Sequence, residues 1–180
     1  VVNNTGNIIA DGGAIQLAAN ARTAAINVDG IVQANTLANH NGVIRLQAGA
    51  NGRTLVSGKL SAKGELQGTQ GGFISIEGKE VGLINHAVLD ASGKAGGGTI
   101  LVGGDYQGKN VNIQNANKTF VGQNATINVD ATEHGNGGKA IVWADDITRY
   151  YGNISAKGGA RAGNGGFAEV SGKRLLDFNG

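Results

Sequence analysis

Apolar residues recur at every second position in short runs, and two kinds of run alternate along the chain. The first reads Gly, any, apolar, any, apolar. It appears as Gly13-Ala14-Ile15-Gln16-Leu17, Gly42-Val43-Ile44-Arg45-Leu46, Gly72-Phe73-Ile74-Ser75-Ile76 and Gly98-Thr99-Ile100-Leu101-Val102. Weaker copies begin at Gly138 and Gly166. The second reads small, any, apolar, any, Ala or Val. Its copies begin at Gly6, Gly30, Gly58, Ala87, Ala125 and Gly152, and a seventh begins at Gly180. Period two belongs to a strand with one face buried. A third short strand precedes several second runs, as in Ile26-Asn27-Val28 and Leu55-Val56. From Gly6 to Gly180 the second run returns six times in 174 residues, about 29 per repeat.

A repeat of two or three strands with tight corners predicts an all-β fold, a right-handed parallel β-helix of about six coils. Gly-rich stretches of period two cannot sustain a helical solenoid. The Leu-x-x-Leu-x-Leu-x-x-Asn stretch of a leucine-rich repeat is missing. Stacking the coils predicts two inward ladders. One is Ile15, Ile44, Ile74, Ile100, Ala140, Ala168; the other is Leu17, Leu46, Ile76, Val102, Val142, Val170. Ser75, between two ladder positions, is expected in solvent. So is the column Ile9, Gln33, Ser61, Asp90, Asn128, Ser155. Asp130 and Lys157 are expected to meet as a surface pair worth at most about 1 kcal/mol. Corners such as Asp11-Gly12, Asp29-Gly30, Asn41-Gly42, Asn51-Gly52, Asn136-Gly137 and Asn164-Gly165 suit positive φ. The interval from Gly98 to Gly138 is long, which predicts an excursion from the rod within 103–125. Otherwise residues 1–180 read as one β-helical segment. The start at Val1 in place of Met leads us to expect a piece of a longer chain.

Composition narrows the function. Glycine is abundant, 33 of 180 residues, yet 40% are hydrophobic and sit in ordered runs, so a disordered linker is excluded. A net charge of +2 with no basic cluster argues against nucleic acid. With no Cys there is no disulfide framework and no thiol nucleophile. No run approaches the length of a membrane helix.

Three segments carry a family likeness: Ile100-Leu101-Val102-Gly103-Gly104-Asp105-Tyr106-Gln107-Gly108, Ala140-Ile141-Val142-Trp143-Ala144-Asp145-Asp146 and Gly163-Asn164-Gly165-Gly166-Phe167-Ala168-Glu169-Val170-Ser171-Gly172. They resemble the filamentous-haemagglutinin-like exoproteins of bacterial two-partner secretion. The resemblance implies a β-helical shaft exported through an outer-membrane transporter to the cell surface or medium. It also implies roles in adhesion or biofilm, with host or matrix glycans or proteins as partners. That family's secretion domain carries Asn-Pro-Asn motifs, and this chain has no Pro. This places the chain in the shaft, with the export element elsewhere.

Enzymatic readings find little support. Parallel β-helices include polysaccharide-active enzymes, which cluster carboxylates on neighbouring coils. Here Asp105, Asp145 and Asp146 read as loop and turn acids, and Asp90 is flanked by Ser61 and Asn128. His40, His86 and His134 lack metal-ligand spacing. No Gly-x-Ser-x-Gly elbow and no phosphate-binding Gly-rich motif occurs. No catalytic residue, metal or cofactor is expected. The candidate surface-binding residues are Asp105, Tyr106, Trp143, Tyr150 and Tyr151; alternation from Val142 sends Trp143 outward. Sequons fall at Asn3, Asn117, Asn124 and Asn153, and Asn117 and Asn124 are the candidate glycosylation sites. Uncapped end coils predict association with adjacent repeats or end-to-end self-association, which keeps a self-assembling filament subunit open as the alternative.

Overall fold

The computed structural model describes residues 1–179; the second-run copy beginning at Gly180 lies outside them. Nineteen strands follow one another: β1 (Val2–Asn4), β2 (Asn7–Ile9), β3 (Ala14–Ala18), β4 (Ala25–Val28), β5 (Ile31–Gln33), β6 (Val43–Gln47), β7 (Arg53–Val56), β8 (Lys59–Ser61), β9 (Phe73–Glu77) and β10 (Glu80–Leu83). They continue as β11 (Val88–Asp90), β12 (Thr99–Val102), β13 (Lys118–Val121), β14 (Thr126–Asn128), β15 (Lys139–Ala144), β16 (Ile147–Tyr150), β17 (Asn153–Ser155), β18 (Phe167–Gly172) and β19 (Leu175–Phe178). Every third strand stacks. Sheet A holds β1, β4, β7, β10, β13, β16 and β19; sheet B runs from β2 to β17 and sheet C from β3 to β18. All pairings between strands are parallel. The protein is a parallel β-helix of about six coils, and the third strand is present in each.

Both predicted ladders are there in register: Ile15 pairs with Ile44, Ile44 with Ile74, Ile74 with Ile100, Ile100 with Ala140 and Ala140 with Ala168. Ile44, Ile74, Ile100 and Ala140 are fully buried. Ala168, on the last described coil, is exposed. Sheet A closes the core with the column Val28, Val56, Leu83, Val121 and Tyr150, all buried. Within sheet A, Thr54, Thr119 and Thr148 also point inward, and each hydroxyl donates to a strand-end carbonyl of sheet C on the next coil. The acceptors are Glu77, Trp143 and Ser171, at 2.8, 2.6 and 2.7 Å. A buried hydroxyl must find such a partner, and here it pins the corner between sheets.

The glycine before each of β9, β12, β15 and β18 has a shared steric cause. A Cβ on Gly72, Gly98, Gly138 or Gly166 would lie 2.0–2.2 Å from the carbonyl oxygen of the equivalent glycine one coil back. Coils stack at about 4.8 Å, and at this corner only a hydrogen fits. This corrects the turn reading. Of the predicted Asp-Gly and Asn-Gly corners, only Gly12 has positive φ; Gly30, Gly42, Gly52 and Gly137 are confined by close backbone approach, and Gly165 by neither.

Three surface expectations are also corrected. Ser61 is buried, its hydroxyl donating to Asn35 at 2.8 Å; Gln33, Asp90, Asn128 and Ser155 of that column are half-buried and Ile9 is exposed. Asp130 does not pair with the Lys157 ammonium. Its carboxylate accepts the Lys157 backbone N–H at 2.6 Å and the Ser155 hydroxyl at 2.7 Å. Ser75 is fully buried, for a reason found on the outer face of sheet C.

Candidate functional site

Segment 103–117 joins β12 to β13, whereas 145–146 alone joins the equivalent strands one coil later. The excursion occupies 103–117, and Lys118–Val121 already belongs to sheet A. It folds back over the outer face of sheet C. Ile113 inserts against Leu101, Ile141 and Trp143, which point away from the main core and form a second, small one. All four are under a tenth exposed. Alternation puts Ser75, Leu101 and Ile141 on the outward column, and the excursion then covers that column. Leu101, Ile141 and Trp143 are apolar at outward phase only on the coils that flank the insertion. That was the available signal.

Polar contacts anchor the excursion at both ends. Asp105 accepts hydrogen bonds from its neighbour's backbone N–H at Tyr106 (2.7 Å), from Asn110 (2.8 Å) and from the Lys139 ammonium (2.5 Å). Burial works against its ionisation, but these donors outweigh it and hold the carboxyl below its ordinary value. Tyr106 opens a short 3-10 turn, Tyr106–Gly108. At the other end the buried Glu77 carboxylate accepts the Gln114 backbone N–H at 3.1 Å and the Ser75 hydroxyl at 2.9 Å. Asn115 donates to the Gly108 carbonyl at 2.9 Å. Between the excursion and sheet C lies a hollow of about 530 Å³, bordered by Arg45, Phe73, Asp105, Asn112 and Lys139. Its charges are engaged internally: Lys139 with Asp105, and the Arg45 guanidinium over Phe73, 4.6 Å from the ring centroid.

The expected binding residues do not form one surface. Tyr106 is 44% exposed and meets Phe167 edge-on, with centroids 5.7 Å apart. Trp143 leaves the main core as expected, but the excursion buries it and its N–H donates to Asp145 at 3.0 Å. Asp105 is buried in its anchoring role. Tyr150 points inward and stacks on Phe178, with centroids 5.3 Å apart; burial pushes its hydroxyl up. Tyr151 is half-buried. Its hydroxyl donates to Asp177 at 2.6 Å, and its ring meets Phe120 edge-on. Neither Trp143 nor Tyr150 offers a ring face to a ligand. Asn117 and Asn124 are both exposed.

Neither a protein-family model nor a curated protein matches the chain. Among solved structures, the chain is similar to the HMW1 secretion domain from Haemophilus influenzae. The likeness covers 99% of this chain and 45% of that one, at 37% identity and a TM-score of 0.84. The chain thus spans less than half the length of that solved chain. The likeness is to a secretion domain, whereas the missing Asn-Pro-Asn motif points to a shaft.

Chemically the site is an anchor. Asp146 is paired with Arg174, which holds its carboxyl below the usual range. Asp145 serves Trp143 and Asn115. His40, His86 and His134 are exposed. Among the described residues no group of three His, Cys, Asp or Glu is placed to hold a metal ion, and no helix is long and apolar enough to cross a membrane.

Proposed function

We propose that the chain is a rigid, non-catalytic β-helical segment of a secreted or surface-exposed adhesin of two-partner secretion. It carries more distal binding domains away from the cell and takes part in adhesion or biofilm. The observation that carries this reading is the 37% identity to a secretion domain over nearly the whole chain. The family resemblance of the Asp105, Trp143 and Gly166 segments supports it, as does a core of stacked ladders that suits a rod. A partner follows: the outer-membrane transporter through which such chains leave the cell. The segment then belongs to the β-helix at or next to the export domain.

The test is surface labelling of the full-length gene product in its own bacterium, with and without the transporter gene. Export through the transporter predicts that antibody labelling disappears in the deletion strain. Undiminished labelling there would overturn the reading.

A further inference from the structure

We propose that the outer face of sheet A carries a binding site for a carboxylated polysaccharide, centred on Gly82. The site stands apart from the excursion and does not depend on the export reading.

Two adjacent outward columns build it. Arg53, Glu80 and Lys118 follow one another in the first, and Leu55, Gly82, Phe120 and Arg149 in the second. Alternation turns them outward, because Thr54, Val81, Thr119 and Thr148 between them are buried. Gly82 contributes no side chain and is itself buried, because Leu55 leans over it, its Cδ2 2.7 Å from where a Cβ would sit. Together the columns border a hollow of about 300 Å³ with an apolar floor that includes Ile84 and Ile147. A rod face of stacked strands is otherwise flat, so a concavity with apolar walls and a few polar groups is the expected form of a small-ligand site.

Among the described residues the charges at its rim form no salt bridge, although Asp177 is the register partner of Arg149, and Lys118 lies close enough to Asp146 to favour its ionised form. Arg53, Lys118 and Arg149 are exposed cations, with Glu80 as the one acid of the rim. Glu80 is the register partner of both Arg53 and Lys118, yet among the described residues none of these four enters a salt bridge. The other hollow, on sheet C, has its charges engaged. Phe120 is 38% exposed and held at a fixed angle: Tyr151 meets it edge-on at 5.9 Å and is itself tied to Asp177.

These features select the ligand. A peptide could add here as a strand only at a free edge, and β7, β10, β13 and β16 are paired on both sides. Recognition must come from side chains. A sugar ring presents an apolar C–H face to Phe120 and Leu55 and hydroxyls to Glu80. A carboxylate on the ring meets the guanidinium groups in their preferred two-pronged geometry. A polymer lying along the rod passes one coil about every 4.8 Å, comparable with one sugar unit, so several units contact the two columns at once.

The experiment is calorimetric titration of the protein with polygalacturonate, neutral dextran and dextran sulfate at one ionic strength. We expect polygalacturonate to bind and dextran not to. Arg149→Ala and Phe120→Ala should each weaken binding about tenfold, the scale of one good charged or stacking contact. Arg22→Ala, an exposed cation elsewhere, should leave it unchanged. Melting temperatures separate lost binding from lost fold, and the exposed Arg149 keeps the test informative if Phe120→Ala unfolds. The proposal fails if polygalacturonate binds no better than dextran, or if Arg149→Ala binds like the parent. It fails equally if folded Phe120→Ala retains full affinity, or if dextran sulfate competes as well as polygalacturonate, because charge attraction alone would then explain the binding.

Discussion

The Lys139 ammonium lies 2.5 Å from the Asp105 carboxylate, joining the start of the excursion to the strand stacked on its parent strand one coil later. The excursion is thus fastened to the coil that follows it, and the fastening responds to pH. Asp105 has a lower pKa folded than unfolded. Its contribution is fully present above the ordinary value of 3.8 and is lost as pH falls through the depressed folded value. Amide exchange in 106–117 should therefore accelerate in strong acid before the ladders open. Lys139→Met should move that onset to higher pH. An onset unchanged by the substitution would detach the two residues.

Ile74 and Ser75 are neighbours with opposite directions, and both are fully buried. Ile74→Asp places an unpaired charge in the main core and should cost several kcal/mol, enough to unfold a domain of ordinary stability. Ser75→Asp should also be costly, because it sets a second carboxylate against the buried Glu77, 2.9 Å from the present hydroxyl. Gln16→Asp, in the same column but exposed beyond the excursion, should stay within about 0.5 kcal/mol. Thermal melts rank the three. A mild Ser75→Asp would mean that the excursion does not cover sheet C.

Gly98→Ala should destabilise the rod by roughly 1–3 kcal/mol or more, because its Cβ would sit 2.1 Å from the Gly72 carbonyl oxygen. Gly165→Ala meets nothing closer than 3.7 Å and should be tolerated. Denaturant midpoints compare them. Equal midpoints would remove the steric account of the Gly-x-apolar run.

The two candidate sequons differ in their third residue. Thr119 is buried and donates its hydroxyl to Trp143, so Asn117 presents an incomplete acceptor; Thr126, after Asn124, is exposed. An asparagine glycosyltransferase acting on folded protein should modify Asn124 and spare Asn117. Peptide mass spectrometry would show it, and equal occupancy would contradict it. Modification before folding carries no such preference.

The coil repeat, the three-strand coil and both inward ladders could be read from residue spacing. A strand has only two faces, and apolar residues at period two name the buried one whatever lies beyond it. Spacing could also show that extra residues enter between Gly98 and Gly138. It could not show where they go. Ser75 and Trp143 sit at outward phase, and outward means solvent only while nothing lies on top. Ile113 packs on Trp143, and Gln114 donates its N–H to the Glu77 carboxylate that holds Ser75; only tertiary folding brings these distant residues there. Spacing hides the inward direction of Tyr150 for a related reason. Its phase belongs to sheet A, whose strands carry threonine on one inward column and so show weaker hydrophobic alternation than sheet C. The Gly82 hollow likewise exists only because three successive coils stack Leu55, Gly82 and Phe120 side by side. Local alternation decides which way a side chain points, and packing across coils decides what it meets.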